Sequence, residues 1–288
     1  MSDVLIIGHG PAGISSALYA LRGKMSVTLV GFDSGSLSKA HLIENYYGLE
    51  KPVSGIELAE IGKRQAENLG AKLIDDELTD LFYDGNEFVA TGLCGEYRGR
   101  ACIMATGAAR KRLPLKGIAE LEGHGVSYCA VCDAFFYRGK NVCVLGAGEY
   151  ALHEVNELLP VVGSVTLLTN GIRPTVSFPE KVNVDERVIA SLEGNATFEG
   201  VHFEDGNKAC FDGMFIALGS ASAMDLARKA GAAFCNGNVV LDKDFMTTVP
   251  GLFCAGDCTG GTLQVAVAVG EGAIAGLAAL KFLRQQKA

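Results

Sequence analysis

Proline is scarce in this chain, 7 residues in 288, although glycine is plentiful at 37. Glycine therefore stands at about 13%, against roughly 7% in soluble proteins, with neither a Gly-x-y period nor the proline of a collagen-like or low-complexity tract. Positive charge is also short: Lys plus Arg is 25 against 33 for Asp plus Glu, a formal net charge of −8. That balance excludes a general nucleic-acid or membrane-surface role, because both partners are polyanionic. The opening MSDVLIIGHG has no basic segment and no long apolar core, since Gly8 and Gly10 interrupt its apolar run, so a secretory leader is not expected. The most apolar later stretch, 265–280, carries Glu271 and reads as a buried helix. These absences point to a cytoplasmic protein with no nucleic acid, membrane or metal partner. What is present is 49% hydrophobic residues, enough for a sizeable core, and a length that implies about two domains at roughly 150 residues each.

The run VLII at 4–7 is closed by Gly8 and followed by Gly10, Gly13 and a helical pattern with Ile14, Ala17, Leu18 and Leu21 on one face. A second apolar run, VTLV at 27–30, completes a strand, glycine turn, helix, strand unit. The arrangement recurs: NVCVL at 141–145, GAGEYA at 146–151, a helix to about Leu159 and a strand at 165–168. The segments ACIMATG (101–107) and GMFIALG (213–219) also match each other, and FCAGD (253–257) opens a last strand and loop before an Ala-rich helix. The pattern predicts an α/β fold of two Rossmann-like, FAD/NAD(P)-binding three-layer domains, the second inserted into the first. Residues 1–113 and 244–288 form the first domain and 114–243 the second.

GHGPAG at 8–13 fits G-x-G-x-x-G after a strand and before a helix. Gly8 allows the tight turn, Gly10 lets a pyrophosphate approach the backbone and Gly13 lets helix and strand pack, with Pro11 and Ala12 between them. Asp33, just beyond the second strand, is the candidate ribose acceptor; the alternative is a solvated loop acid. Gly256 and Asp257 follow a strand, where the carboxylate can accept from sugar-alcohol hydroxyls. Gln264, Val265 and Ala266 open the last helix and can offer N–H groups to a flavin ring, which favours FAD in this domain.

The chain holds nine cysteines, most of them in apolar strand-like surroundings, as at Cys102, Cys143 and Cys254, where buried free thiols are expected. Cys129-Ala-Val-Cys132 differs. Two thiols at this spacing can close a small disulfide, and Asp133 can move a proton as it opens. Half a zinc site completed by Cys254 and Cys258, an incidental pair, or Asp133 as a helix cap are the other readings of these residues.

Taken together, GHGPAG, ENYYG (44–48), IMATGA (103–108), CAVCD, GAGEYA and CAGDC (254–258) resemble the low-molecular-weight flavin thioredoxin reductases over essentially the whole chain. The resemblance implies a homodimer with an FAD domain, to whose cofactor contacts it adds Asn45, Thr106 and Gly107, and an inserted pyridine-nucleotide-like domain bearing the redox cysteines. It implies that Cys132 lies nearest the flavin, that Cys129 exchanges with thioredoxin, and that Asp133 donates and accepts the proton. Phe135 and Phe136 match the aromatic pair that helps to dock thioredoxin.

The second βαβ unit departs from the NADPH-using members. The strand at 165–168 runs into TNGI without the His-Arg-Arg type of cluster that grips a 2′-phosphate; Arg173 is the only nearby cation, and no carboxylate stands there for NAD. Tyr150 replaces a small residue where helix and phosphate would meet, and a clash there is expected. At roughly 1.5–3 kcal/mol for each charge-assisted contact, loss of two Arg contacts weakens NADPH by about two to four powers of ten. The pattern resembles the ferredoxin-dependent branch, with Arg110, Lys111 and Arg112, beside Lys116, as the candidate docking patch for an acidic ferredoxin; a solvated basic linker is the other reading of these residues. An NADPH-dependent reductase with an atypical nucleotide site and a flavin-binding redox sensor remain alternatives.

Overall fold

The computed structural model describes residues 2–32, 35–107, 115–219, 221–235 and 238–286. The chain divides into two compact units, Met1–Arg110 with Ser222–Ala288, and Lys111–Ala221.

The first unit begins with β1 (Ser2–Ile7), α1 (Pro11–Arg22) and β2 (Val27–Gly31). Pro11 stands at the first turn of α1, where a missing N–H costs nothing. Helix α2 (Gly55–Asn68) is capped by Ser54, which accepts from the Glu57 N–H at 3.1 Å. It is followed by β3 (Lys72–Asp75), β4 (Leu78–Tyr83), β5 (Phe88–Gly92) and the long β6 (Glu96–Met104). Strand β6 serves two neighbours in turn: residues 96–99 pair antiparallel with β5, and 99–104 pair parallel with β1.

The second unit holds α3 (Ile118–Leu121), β7 (Val126–Ser127), α4 (Ala130–Asp133), β8 (Asn141–Leu145), α5 (Glu149–Leu158), β9 (Ser164–Leu168) and β10 (Asn183–Asp185). An antiparallel sheet of β11 (Ile189–Glu193), β12 (Gly200–Phe203) and β13 (Lys208–Cys210) precedes β14 (Gly213–Ile216). Its parallel sheet has the order β10-β9-β8-β14-β7. Val126, Cys143, Leu145, Leu168 and Met214 supply a continuous core beneath it.

The chain then returns to the first unit through α6 (Ala223–Lys229), the short strands β15 (Phe234–Cys235) and β16 (Asn238–Val239), β17 (Leu252–Cys254) and α7 (Val265–Gln285). Strand β17 pairs parallel with β6 over Cys102–Met104. The parallel part of the first sheet therefore runs β3-β2-β1-β6-β17; its first four places follow the plan of β10-β9-β8-β14 in the second unit, where the fifth place is taken by β7, which precedes the others in the chain.

The second boundary differs from the expected 243/244: residues 222–243 belong to the first unit. Helix α6 starts in a capping box between Ser222 and Asp225 and packs on β4, where Lys229 Nζ donates to the Thr79 carbonyl at 2.9 Å. Its apolar face announces burial, but a short helix carries no mark of which sheet it covers.

Helix α7 is long and apolar enough, by length and composition, to cross a membrane, yet one face is buried against α1. A Cβ at Gly272 would overlap the Ala12 carbonyl oxygen, and one at Gly276 would stand 2.6 Å from that of Ser16. The Ser16 hydroxyl donates to the Gly272 carbonyl at 2.9 Å and Ser15 to that of Val269 at 2.7 Å. Replacing Gly276 by Leu should overpack this crossing and cost about 1–3 kcal/mol, read as a lower denaturant midpoint; an unchanged midpoint would mean the helices can separate freely.

Candidate active site

In the first unit the chain leaves β1 through Gly8, at φ +118°, where a Cβ would run into the Ala105 carbonyl. A Cβ at Gly13 would strike the Gly8 carbonyl in the same way. Gly10 is different: its Cβ position faces open space. Two glycines thus serve packing, and the third keeps a backbone face clear at the mouth of α1. Helix α1 has no side-chain cap and no acid in its first turn, and α7, entered at Gln264, shares both features. Because Ala12 faces Gly272 and Ser16 faces Gly276, the two helices run parallel and open at the same end. Uncapped N–H groups and the positive ends of two helices suit an anionic pyrophosphate.

The remaining cofactor candidates surround this end. Asn45 Nδ2 donates to Gln264 Oε1 at 3.2 Å, joining two residues that are 219 positions apart. Thr106 and Gly107 follow β6, and Gly107, at φ +79°, also faces open space. Gly256 turns at φ +83°, where a Cβ would come within 2.8 Å of Ala12 Cβ. Its N–H and the Thr259 hydroxyl both donate to Glu271, at 2.8 and 3.2 Å, which fixes the turn bearing Asp257. Partial burial raises the Asp257 carboxyl above its ordinary pKa. Val265 and Ala266 form the first turn of α7. Asp33 lies outside the described residues. The open loop and the uncapped helix ends fit a dinucleotide such as FAD, which the 8–13 loop, Asp257 and the 264–266 turn could hold.

The second unit carries the sulfur chemistry. Cys129 and Cys132 form a disulfide with Cα atoms 5.3 Å apart, directly after edge strand β7. Cys129 caps α4: its sulfur accepts the Cys132 N–H at 3.1 Å, and its own N–H donates to the Ser127 hydroxyl at 3.1 Å. Ser127 donates to Asp133 Oδ2 at 2.6 Å. Asp133 is therefore joined to the cysteine turn through Ser127, and its side chain does not cap the 3₁₀ turn that follows. Cys129 is buried, at 2% exposure, whereas Cys132 is exposed. Exchange at Cys129 with a protein partner requires this turn to be uncovered.

Two residues of α5 hold the turn from below, and sequence reading missed one of them. Glu154, 1% exposed, accepts the Ala130 N–H at 2.6 Å, satisfying a donor at the mouth of α4. The only sequence signal was a carboxylate on the inward face of a helix otherwise lined by Ala151, Val155 and Leu158. Tyr150 is also fully buried, and its hydroxyl donates to the Tyr128 carbonyl at 3.3 Å. This corrects the clash expected there: the ring points beneath the cysteine turn, because a large aromatic at this inward position gains more from burial than from lying in the loop.

The second glycine loop is closed where the first is open. Thr175 donates from its N–H and its hydroxyl to the Ala147 carbonyl, at 2.8 and 3.2 Å, and its Oγ1 lies 3.4 Å from the Cβ position of Gly148. Beyond β9, Asn170 adopts φ +52° and its side chain accepts the Ile189 N–H at 2.7 Å. A carboxylate does stand at this edge, contrary to the sequence reading. Asp185 is in register with Leu168; pairing of β10 with β9, invisible in sequence, brings it there. Arg187 grips it through 3.0 and 2.6 Å contacts and holds its carboxyl below the usual range.

Phe135 and Phe136 are 67% and 69% exposed, with ring centroids 6.4 Å apart. Arg138 lies over Phe135 at 4.8 Å, and Phe136 helps to line a cleft of about 760 Å³ with His124, Lys140 and Asp212. Arg110, Lys111 and Arg112 lie outside the described residues.

Residues 2–272 match the pyridine nucleotide-disulphide oxidoreductase family. The chain is 34% identical to the thioredoxin reductase of Aquifex aeolicus, across 99% of this chain and 94% of that protein. Among solved structures, the atypical thioredoxin reductase TRi from Desulfovibrio vulgaris Hildenborough is 41% identical with a TM-score of 0.91, covering 99% of both chains. A ferredoxin-flavin thioredoxin reductase from Clostridium acetobutylicum is 30% identical with a TM-score of 0.74, covering 99% of this chain and 98% of that one.

Replacing Glu154 by Ala should leave the Ala130 N–H buried without that acceptor and cost about 1–3 kcal/mol. Glu154→Gln, whose amide oxygen still accepts, should recover most of the loss in denaturant unfolding; equal losses would show that the charge, not the hydrogen bond, matters.

Proposed function

The chain belongs to the pyridine nucleotide-disulphide oxidoreductase family, as a flavoprotein thioredoxin reductase, and on that premise we propose that its electrons come from reduced ferredoxin rather than from NADPH. The observation that carries the proposal is the closed second glycine loop, with Thr175 bonded to Ala147 and Asn170 committed to Ile189. A dinucleotide would have to displace the first contact, and Asn170, where the strand ends, gives its side-chain oxygen to the chain's own backbone. Arg187 is the cation beside that edge, and its bond to Asp185 leaves a carboxylate facing any phosphate. The similarity to a ferredoxin-flavin thioredoxin reductase supports the same reading. Arg110, Lys111 and Arg112, with the exposed Lys116, are the cations proposed to meet an acidic ferredoxin.

Bound FAD supplies the capacity to take electrons singly and release them as a pair. The chain's own part is to hold that group at the 8–13 loop, at Asn45, at Thr106 and Gly107, and at the helix start 264–266, with Asp257 accepting from hydroxyls. Two electrons and two protons convert the Cys129–Cys132 disulfide to a dithiol. The Cys132 N–H that reaches Cys129 Sγ favours the thiolate at Cys129. That thiolate attacks the thioredoxin disulfide, and Cys132 then displaces thioredoxin by attacking the mixed disulfide at Cys129. Asp133, linked through the Ser127 hydroxyl, is placed to take up and return the proton at this turn. Phe135 and Phe136 give the partner an apolar foothold beside the cysteines. We place the enzyme in the cytoplasm as a homodimer.

Anaerobic oxidised protein should lose its visible flavin absorbance with reduced ferredoxin and keep it with micromolar NADPH or NADH, and oxidised thioredoxin should restore the colour. Rapid bleaching by NADPH would overturn the ferredoxin assignment, and bleaching by ferredoxin that thioredoxin cannot reverse would mark a redox sensor. A Cys129→Ser variant should still bleach but pass no electrons to thioredoxin. Full turnover by that variant would move the exchanging role to Cys132.

A further inference from the structure

Strand β17 ends at Cys254, the chain reverses at Gly256, and a 3₁₀ turn over Asp257–Thr259 brings Cys258 back against it. The two sulfurs stand 2.8 Å apart, inside the sum of their van der Waals radii. We propose that Cys254 and Cys258 form a second redox site, a dithiol beside the cofactor-binding turn that hydrogen peroxide closes to a disulfide. It records oxidation and takes no part in turnover, and the proposal is independent of the electron donor.

The arrangement is fixed from several sides. Glu271 of α7 holds the Gly256 N–H and the Thr259 hydroxyl, and Cys258 Sγ reaches the carbonyls of Ala255 at 3.2 Å and Met104 at 3.5 Å. Both cysteines are buried, Cys254 completely and Cys258 at 8% exposure, so the attack on peroxide falls to Cys258. Among the described residues these are the only two free thiols in mutual contact. The i, i+4 spacing in CAGDC is visible in the sequence; the glycine reversal that makes the sulfurs meet is not.

The chemistry balances with peroxide as the oxidant. Cys258, as thiolate, attacks one peroxide oxygen; the O–O bond breaks, hydroxide leaves and takes up the proton released from the thiol, and a sulfenic acid remains. Cys254 sulfur attacks Cys258 sulfur, the S–O bond breaks, and a second water leaves with the Cys254 proton. Two thiols and one peroxide give one disulfide and two waters. Closure is slow. The adjoining Cys258 thiol and burial push the Cys254 thiol well up, and the Glu271 carboxylate from α7 and Cys102 from β6 act in the same direction. Once closed, the bridge ties β17 to the turn that carries Asp257, so the oxidation state reaches the segment that holds the cofactor.

The test uses the full chain carrying Cys129→Ser and Cys132→Ser, reduced, exposed to hydrogen peroxide, alkylated and digested with trypsin. Cys254 and Cys258 fall on one peptide, 244–281, with no internal Lys or Arg. The expected product is that peptide lighter by two hydrogens and without alkyl groups, returning to two alkyl groups after dithiothreitol. Because the thiolate attacks, its formation should quicken as the pH is raised. Two intact thiols when the exposed Cys210 and Cys235 are already oxidised would overturn the proposal. So would added oxygen in place of the cross-link, or a bridge from Cys254 to Cys102. Adding Cys258→Ser should leave Cys254 alkylated and free of any cross-link; a cross-link in that variant would also overturn it.

Discussion

The contact on which the first unit depends is the row of small residues where α7 crosses α1. Glycines at 272 and 276 let the helix backbones meet across Ala12 and Ser16, and serine hydroxyls bind carbonyls across the seam. That approach sets two helix mouths at one end of the sheet and presses Gly256 against Ala12. The dinucleotide loop, the Asp257 turn and the start of α7 are otherwise distant in sequence. Small side chains stabilise little by their own burial; their value here is geometric, because larger ones would hold the two helices apart.

The two units share the order of four parallel strands and a glycine-turn design, yet the turns have different fates. At Gly10 the backbone face is open; at Gly148 the chain's own Thr175 has moved in. The second unit has turned the same helix to another use, with Tyr150 and Glu154 of α5 reaching under the cysteine turn. A helix that in the first unit leaves its N-terminus uncapped and open serves in the second as the floor of a disulfide.

Most of the fold was legible because glycine turns between apolar runs leave a local imprint, as at 8–13 and 146–148. The Cys129–Cys132 pairing was legible for the same reason, its two cysteines lying three residues apart. What escaped depends on long-range placement. The side on which 222–243 packs is decided by β4, far upstream. Asp185 reaches the end of β9 through strand pairing alone, and Tyr150 finds its carbonyl partner at Tyr128, 22 residues back in the chain. Glu154 looked like an ordinary helix carboxylate; the buried Ala130 N–H that it accepts lies on another element, 24 residues away in the chain.

The split first unit also has a consequence for the order of events on the ribosome. Its sheet lacks β17, and α1 lacks its partner, until residues 252–285 have been made, whereas the inserted unit ends at Ala221. The cysteine-bearing unit is therefore the first that can fold to completion as the chain emerges. During that interval α1 exposes the face that Gly272 and Gly276 will cover, which makes the unfinished first unit the part most in need of a chaperone.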